Sequence, residues 1–161
     1  MAWNTNNDLI NGDKLLLYLT SGNSVVAYAT SASLNIDQEQ IDVSSKFSCR
    51  WGSALGGRAS YTISADALYC AADAAAANSG VSFDAILALM LAGEAVDWIM
   101  GQEQPFSGAC EDNPHILDTS KPHYKGKAVI TSLTLEAGNN EIATSSFTAN
   151  GSGEITPMPG A

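Results

Sequence analysis

The stretch RASYTISADALY, residues 58–69, alternates between apolar and small polar side chains. The apolar positions are Tyr61, Ile63, Ala65, Ala67 and Tyr69. The polar positions between them are Ser60, Thr62, Ser64 and Asp66. Successive side chains of a β-strand point to opposite faces, so this period of two predicts a strand with one buried and one solvated face.

The sequence before this stretch predicts a hairpin. An apolar run, residues 13–20, is followed by the turn residues SGN and by a long second strand over residues 24–37. One face of that strand is small and polar, with Ala29, Ser31, Ser33 and Asn35, and the other carries Tyr28, Thr30, Ala32, Leu34 and Ile36. A turn is expected near Gln38, with a separate strand after it.

The sequence after residue 80 predicts one helix. Ser82 suits its N-cap and Gly93 its C-terminal cap. The predicted apolar stripe consists of Phe83, Ile86, Leu87, Met90 and Leu91. A strand is expected over AVDWIMG, residues 95–101.

A second hairpin is predicted near the C-terminus, from residues 124–138 and 140–153, with AGNN as its turn. Within its first strand, Val129, Leu133 and Leu135 are expected on one face and Ile130, Ser132 and Thr134 on the other. The order of elements predicts an α+β fold, mainly antiparallel β, in which a β-sandwich or partial barrel has one flanking α-helix. A single domain, residues 1–161, would carry a flexible N-terminal arm (1–12), an irregular loop (102–122) and an extended or mobile C-terminal tail (155–161).

Composition restricts the function. A net charge of −10 leaves no basic face to neutralise phosphates, so sequence-specific nucleic-acid binding is not expected. No apolar run approaches the ~20 residues that a membrane span needs, and the N-terminus lacks the pattern of a secretory signal. The cysteines Cys49, Cys70 and Cys110 form no CxxC pair, which predicts reduced thiols in a cytosolic protein.

The irregular loop holds the residues from which a metal or nucleophile site could be built: Cys110, Asp112, His115, Asp118 and His123. Their spacing matches no zinc module, so solvated loop residues are the preferred interpretation. The glycines of GSALGG lack the pattern and the following helix of a phosphate-binding loop. No catalytic residue, cofactor or metal site is therefore predicted.

Residues 42–58 hold three of the seven basic residues, Lys46, Arg50 and Arg58, together with Trp51. We expect a flexible loop in which Gly52, Gly56 and Gly57 permit unusual backbone angles. Its basic residues and Trp51 would dock on an adjacent subunit, because Trp and Arg are typical interface anchors. The alternative is that Trp51 covers an edge of its own barrel. The small polar strand faces suit a wet channel, which a chain of this length forms only as a ring of subunits sharing one sheet.

The order and spacing of several segments resemble the major tail tube protein of long-tailed phages. The most specific are ATSASLNIDQEQIDVSSK (residues 29–46), the pattern W...L.G.R.S..IS.D.L from Trp51, and Y.G.A.ITSL...A..N from Tyr124, which leads to F...G.GEI. The resemblance covers about residues 11–155. One departure is FSCRW, residues 47–51, where the family usually has D.GGW.

This resemblance implies a tail-tube-type fold, hexameric rings and a continuous inner β-barrel that conducts viral DNA without a cofactor. It also implies a tape measure protein and tail terminator or baseplate proteins as partners, assembly in the host bacterial cytoplasm, and a place in the virion tail. The acidic candidates for the lumen are Asp37, Glu39, Asp66, Glu136 and Glu141. Three alternatives stay open: the tube of a phage-tail-like injection system, a monomeric carbohydrate-binding or adhesin-like sandwich, and an enzyme using Cys110 with His115 or His123.

Overall fold

A computed structural model describes residues 10, 12–19, 24–26, 29–45, 51–69, 80–108 and 115–160. A 3₁₀ turn, Gly12–Lys14, precedes the first strand. The strands are β1 Leu15–Leu19, β2 Ser24–Val26, β3 Ala29–Asp42, β4 Ala54–Leu68, β5 Gly80–Val81, β6 Val96–Gln102, β7 His123–Glu136, β8 Thr144–Gly151 and β9 Thr156–Met158, and the helix is α1 Phe83–Ala92.

In the described part of the chain, nine strands form one sheet in the order β3-β4-β8-β7-β6-β1-β2-β5, and β9 pairs with β7. The neighbours are antiparallel except β2 and β5. One core cluster contains Leu17 of β1, Ile63 of β4 and Ile86 of α1, although these elements are not sheet neighbours. The sheet therefore curls over its own core without closing, and the predicted mainly antiparallel fold with one flanking helix is confirmed.

The centre of the core is built around Trp98, which is 1% exposed. Tyr61 stacks at a tilt against it, with ring centroids 5.6 Å apart. The Tyr61 hydroxyl donates a hydrogen bond to the Lys127 carbonyl and accepts one from Trp98 Nε1 at 3.4 Å. These contacts join β4, β6 and β7 inside the curl.

The caps predicted for α1 are confirmed, but part of its apolar stripe is wrong. Ser82 Oγ accepts a hydrogen bond from the Ala85 amide, and Gly93 has a φ of 69°. The helix packs on the sheet through Ile86, with Leu89 and Met90 half-buried beside it. Leu87 and Leu91 are exposed. The contact stripe is narrow, since one helix crossing a curved sheet buries only the residues along its line of contact.

The turn predicted near Gln38 is also wrong. β3 continues through this position and pairs with β4 on both sides of it, from Gln38 with Ala59 to Gln40 with Gly56. Between these pairs, two residues of β4 oppose Glu39 alone. Such a β-bulge bends the ribbon without ending either strand.

The faces predicted for β7 are wrong beyond Ile130. Ile130 pairs with Ala149 and Ser132 pairs with Thr148, so Thr131 is an extra residue in β7. This bulge reverses the alternation. Leu133 consequently returns to the core face that Ile130 occupies, whereas Val129 shares the polar face.

The irregular region 102–122 packs partly against the sheet. Leu117 forms a bridge with Glu103 and is buried with Tyr18 of β1, while residues 109–114 lie outside the described residues. The C-terminal tail is extended, since β9 pairs with the start of β7. Of the predicted N-terminal arm, only residues 10 and 12 are described.

Candidate assembly surfaces

Four adjacent strands, β3, β4, β8 and β7, share a face covered by short polar side chains. Strand registers align it in rows across the sheet: Ser31, Asp66, Ser146 and Thr134; then Ser33, Ser64, Thr148 and Ser132; then Asn35, Thr62, Asn150 and Val129. The opposite face of the same strands carries core residues such as Ile63, Phe147 and Leu133. We call the first of these surfaces the polar face.

Side chains of the polar face bond to one another across the strands. Ser31 Oγ donates to Asp66 Oδ2 at 2.6 Å, and the hydroxyls of Ser33 and Ser64 are 2.7 Å apart. Thr62 Oγ1 donates to Asn150 Oδ1 at 3.4 Å. These side chains are short, and part of their hydrogen-bonding capacity is used by bonds to one another. The polar face is therefore flat and hydrophilic, with few groups left to bind a ligand.

The charges on the polar face are acidic. Alternation along β3 places Asp37 and Glu39 in line with Ser31, and the registers place Asp66 and Glu136 on the same face. Residues 29–37, 60–68, 129–136 and 144–151 contain no lysine, arginine or histidine. The structure thus brings four of the five acidic candidates to one face, while Glu141 lies in the turn beyond its end.

A two-stranded ribbon extends beyond the four-stranded region. Pairing between β4 and β8 begins at Thr62, so residues 37–42 of β3 and 54–60 of β4 pair only with each other. All of them are exposed except Gly57, which is half-buried. We call this ribbon, together with the described residues 43–45 and 51–53 beyond it, the arm; it is distinct from the N-terminal arm predicted for residues 1–12. At ~3.3 Å per residue, its strands reach roughly 20 Å past the rest of the sheet.

The glycines predicted to give residues 42–58 unusual backbone angles do not adopt them. Gly56 and Gly57 belong to β4. Among the described glycines only Gly93 and Gly153 have a positive φ, so Gly52, Gly56 and Gly57 do not use unusual backbone angles. A Cβ at Gly56 would lie 2.5 Å from Gln38 Nε2, which indicates that this glycine leaves room for a cross-strand side chain.

The end of the arm is ordered by local hydrogen bonds. The Val43 amide donates to the Ser53 carbonyl at 2.9 Å, and the Ser53 amide donates to Ser44 Oγ, also at 2.9 Å. Hydrogen bonds from Ser44 lower the pKa of the exposed Asp42 carboxyl. These hydrogen bonds therefore continue the contact between the two chain segments beyond the last strand pair, Asp42 with Ala54.

Apolar side chains are exposed at this end of the arm. Ile41 is the cross-strand neighbour of Leu55, and Val43 lies two positions after Ile41, directly beyond the end of β3. Trp51 is 82% exposed, so the alternative in which it covers an edge of its own barrel is wrong. We call Ile41, Val43, Trp51 and Leu55 the arm patch. Its aliphatic members are not among the predicted contact residues, although Ile41 and Val43 alternate with polar residues, a pattern from which an exposed apolar row could have been predicted.

The basic residues predicted to dock are described only in part. Arg58 lies at the β4 bulge opposite Glu39. Lys46 and Arg50 lie outside the described residues. The structure therefore places Arg58 and Trp51 on the arm and leaves the docking role of the set as a prediction.

Two edges of the polar-faced strands have no partner among the described residues. The outer edge of β3 is one. The other is the edge of β7 opposite β8 beyond Ala128, where pairing with β6 ends. β3 is antiparallel to β4, β4 to β8, and β8 to β7. β3 and β7, which carry the two open edges, therefore run in opposite directions.

The residues weighed as a metal or catalytic site have separate structural partners. His115 Nδ1 lies 2.9 Å from Glu103 Oε2, and His123 Nδ1 lies 3.0 Å from the Lys121 carbonyl oxygen. Hydrogen bonding from Ser120 lowers the pKa of the Asp118 carboxyl. Cys110 and Asp112 lie outside the described residues. Within the described ranges, no group of three His, Cys, Asp or Glu side chains could hold a metal ion.

This fold is shared with tubes of phage tails and related particles. The tail of an empty gene transfer agent particle, solved with C6 symmetry, has a chain 21% identical over 92% of this chain and 98% of its own, with a TM-score of 0.69. The SPP1 tail tube is 11% identical over 95% of this chain and 80% of its own, with a TM-score of 0.66. The sheath-tube complex of an extracellular contractile injection system, PVC, is 15% identical over 99% of both chains, with a TM-score of 0.62.

The sequence profile of the phage tail tube proteins matches residues 9–157. The chain belongs to this family and is a structural tail tube protein of a phage or phage-like particle. No curated protein matches it. In the parts of the chain that the structure describes, no helix has the length and apolar character to cross a membrane.

Proposed function

We propose that this protein polymerises as stacked hexameric rings to form a phage tail tube whose lumen conducts viral DNA. The observation that carries the proposal is the polar-faced block of four strands with an open edge on each side. Because the two edges run in opposite directions, β7 of one copy and β3 of the next can continue the antiparallel sheet around a ring. Six such blocks make a closed barrel in which no edge stays unpaired.

The polar face would line the lumen of this barrel. It cannot pack in a core, because its hydroxyl, amide and carboxylate groups would have to be desolvated. Its acids, Asp37, Glu39, Asp66 and Glu136, would repel a polyanion. Residues 29–37, 60–68, 129–136 and 144–151 carry no basic side chain that would hold phosphates, and Arg58 lies opposite Glu39 at the β4 bulge. Glu141 would stand at the rim. DNA would thus pass as non-specific cargo.

The arm would join one ring to the next. It extends along the strand direction, which becomes the tube axis when the strands line the wall. Its exposed apolar residues and the nearby cations would be buried against a neighbouring copy, with Lys46, Arg50, Trp51 and Arg58 as the contact set. The tape measure protein and the tail terminator or baseplate proteins are further partners in this proposal. Assembly would take place in the host cytoplasm, without membrane insertion.

Electron microscopy of the purified protein tests the proposal. We expect negatively stained samples at high concentration to contain rings or tubes with a central hole and six-fold symmetry. Sedimentation velocity over a concentration series gives an independent measurement. A protein that stays strictly monomeric at every concentration, and in the presence of a tape measure protein, would contradict it.

The similarity to the PVC tube favours a second candidate, the tube of a contractile injection system that carries a protein cargo. Such a tube would close its rings through the same strand edges and use the same arm between rings. The neighbouring genes distinguish the two, because a phage tail is encoded with a terminase and an injection system with an ATPase and sheath.

A further inference from the structure

The helix α1 has an apolar side that its own chain leaves uncovered. Asp84 is the only polar residue of this helix. It packs on the core through Ile86, whereas Leu87, Ala88 and Leu91 share another side and are exposed, Leu91 to 78%. We call these three residues the helix face. A surface helix normally carries polar residues on its solvent side, and a helix that is apolar all round is normally buried. The helix face therefore has the composition of a covered surface.

The helix face stands beside an open strand edge. α1 contacts β7, and Gly93 ends the helix shortly before Val96, the first residue of β6. Val96 pairs with Ala128, and among the described residues the edge of β7 is open from the next position, Val129. Leu91, in the last turn of the helix, is therefore close to the point at which this open edge begins.

A cleft of about 540 Å³ opens at the other edge of the four-stranded block. Its walls include β1, from Leu15 to Leu17, and the start of β3, from Ala29 to Ala32. Leu15 is 37% exposed there, and the side chains along β3 are short, which leaves room for larger ones from outside. None of the described residues that line the cleft belongs to α1, so the helix face and the cleft do not cover each other within one chain.

A ring junction would bring the two surfaces together. When β3 of one copy pairs with the open edge of β7 in its neighbour, it continues the sheet against which the neighbour's α1 packs. The cleft at the outer edge of β3 then lies next to that helix. We propose that the helix face of each copy docks in the cleft of the next copy around the ring, where Leu87 and Leu91 cover Leu15. The contact is head-to-tail, the type that closes rings, and the inference rests on the proposed hexameric ring.

This contact would determine which chains can enter the ring. Hydrogen bonds between strand edges are made by the main chain and give affinity with little preference for sequence, whereas side chains seated in pockets give specificity. The strand pairing would therefore hold the ring together, and the helix face would select copies of this chain with the matching cleft.

Charges placed on the two surfaces test the contact. Leu91→Lys puts an ammonium group on the helix face, near the helix C-terminus, where a cation suits the helix dipole. Leu15→Glu puts a carboxylate in the cleft wall. Both positions are exposed in the single copy, so each variant should fold as the wild type does. Each should raise the critical concentration for ring formation by about tenfold or more, because a charge would be buried without a partner. Sedimentation velocity over a concentration series measures this.

Recovery is the decisive measurement. The double variant, Leu91→Lys with Leu15→Glu, places opposite charges at every junction and should form rings near the wild-type concentration. An equimolar mixture of the two single variants should do the same, because rings that alternate them have either the opposite charges or the unchanged leucines at each junction. Ile116→Lys is the matched control, since it adds the same charge at a residue that is 47% exposed and lies on neither surface. It should assemble normally.

The outcomes separate this contact from the proposed function. Wild-type protein that forms no rings or tubes overturns the polymerisation itself. Wild-type rings together with normal assembly of the Leu91→Lys variant overturn the helix contact alone. So does a double variant that fails to recover while its circular dichroism spectrum and melting curve match those of the wild type, and so does an Ile116→Lys control that is impaired as strongly as Leu91→Lys.

Discussion

At the residue scale, Tyr61 shows how the curled sheet is held together. Its ring lies against Gly151 of β8 and its hydroxyl against Gly126 of β7, where a Cβ would overlap the Tyr61 side chain. Neither glycine has a positive φ. Both are therefore glycines because a large aromatic side chain crosses them, and its hydroxyl then reaches the Lys127 carbonyl.

Gly151→Ala should destabilise the monomer by about 1–3 kcal/mol, because the added methyl group forces the Tyr61 ring from its place. Urea denaturation followed by tryptophan fluorescence measures the loss. Gly12→Ala is the matched control, since no atom lies within 4 Å of the Cβ that it adds. That variant should stay within about 0.5 kcal/mol of the wild type; equal effects at the two positions would refute the steric explanation.

Tyr18 leads to a pH prediction. Its side chain is 0% exposed, and no described residue provides a partner for its hydroxyl. Burial, with a further contribution from the Glu103 carboxylate, raises the pKa of Tyr18 far above its ordinary value. The folded protein therefore keeps this proton at pH values at which the unfolded chain loses it.

The contribution of protonated Tyr18 to the free energy of unfolding should be complete below about pH 10, the ordinary tyrosine pKa. It should decline as the pH rises above that value. Tyr18→Phe should flatten that decline and leave the stability at pH 7 unchanged or slightly higher, because an unpaired buried hydroxyl is removed. Urea midpoints at pH 7 and pH 11 measure both effects. A Phe variant with the same alkaline loss as the wild type would exclude Tyr18 as its source.

At the scale of elements, three bulges interrupt the described strand pairs: one at Thr30 at the start of β3, one in β4 opposite Glu39, and one at Thr131 in β7. The last two bear on the arm and on the core. Thr131 in β7 returns Leu133 to the core. The β4 bulge opposite Glu39 lies within the arm, where it bends a ribbon without any core contact. Each of these bulges adds one residue to one strand and so changes which face the following side chains of that strand point to.

Deletion of Thr131 should therefore be tolerated about as well as its substitution. Without the extra residue, Ser132 follows Ile130 directly, so regular alternation keeps Ser132 on the polar face opposite Thr148 and Leu133 in the core opposite Phe147. Thr131→Ala keeps the bulge and loses only the hydrogen bond to the Thr148 carbonyl, so it should cost less than about 1 kcal/mol. Thermal unfolding of both variants compares them, and a deletion that costs several times as much as Thr131→Ala would contradict this register.

At the scale of the whole molecule, the polar face predicts how an assembled tube handles DNA. Asp37→Lys together with Asp66→Lys would place a ring of cations where the wild type has anions. Tubes of this variant should retain double-stranded DNA with an affinity that falls steeply as salt is raised, whereas wild-type tubes should retain none. Filter retention at several salt concentrations measures this.

Glu94→Lys with Glu154→Lys provides the matched control for DNA retention. Its net charge equals that of the lumen variant, but neither position lies on the polar face. If both variants bind DNA equally, net charge explains the retention and the polar face does not line the lumen.

The sequence by itself determined the period-two strands, the caps of α1 and the small polar composition of the future polar face, because these depend on neighbours along the chain. It also carried the resemblance to the tail tube family that the profile match confirms. Only the tertiary structure decided which residues of α1 are covered, where the bulges lie, and that Ile41, Val43, Leu55 and Trp51 stand away from the core. Those features depend on which strands pair and at what register. The alternating pattern of a hydrophobic side chain in a strand is also the same whether the core of its own chain or the surface of another copy covers that side chain.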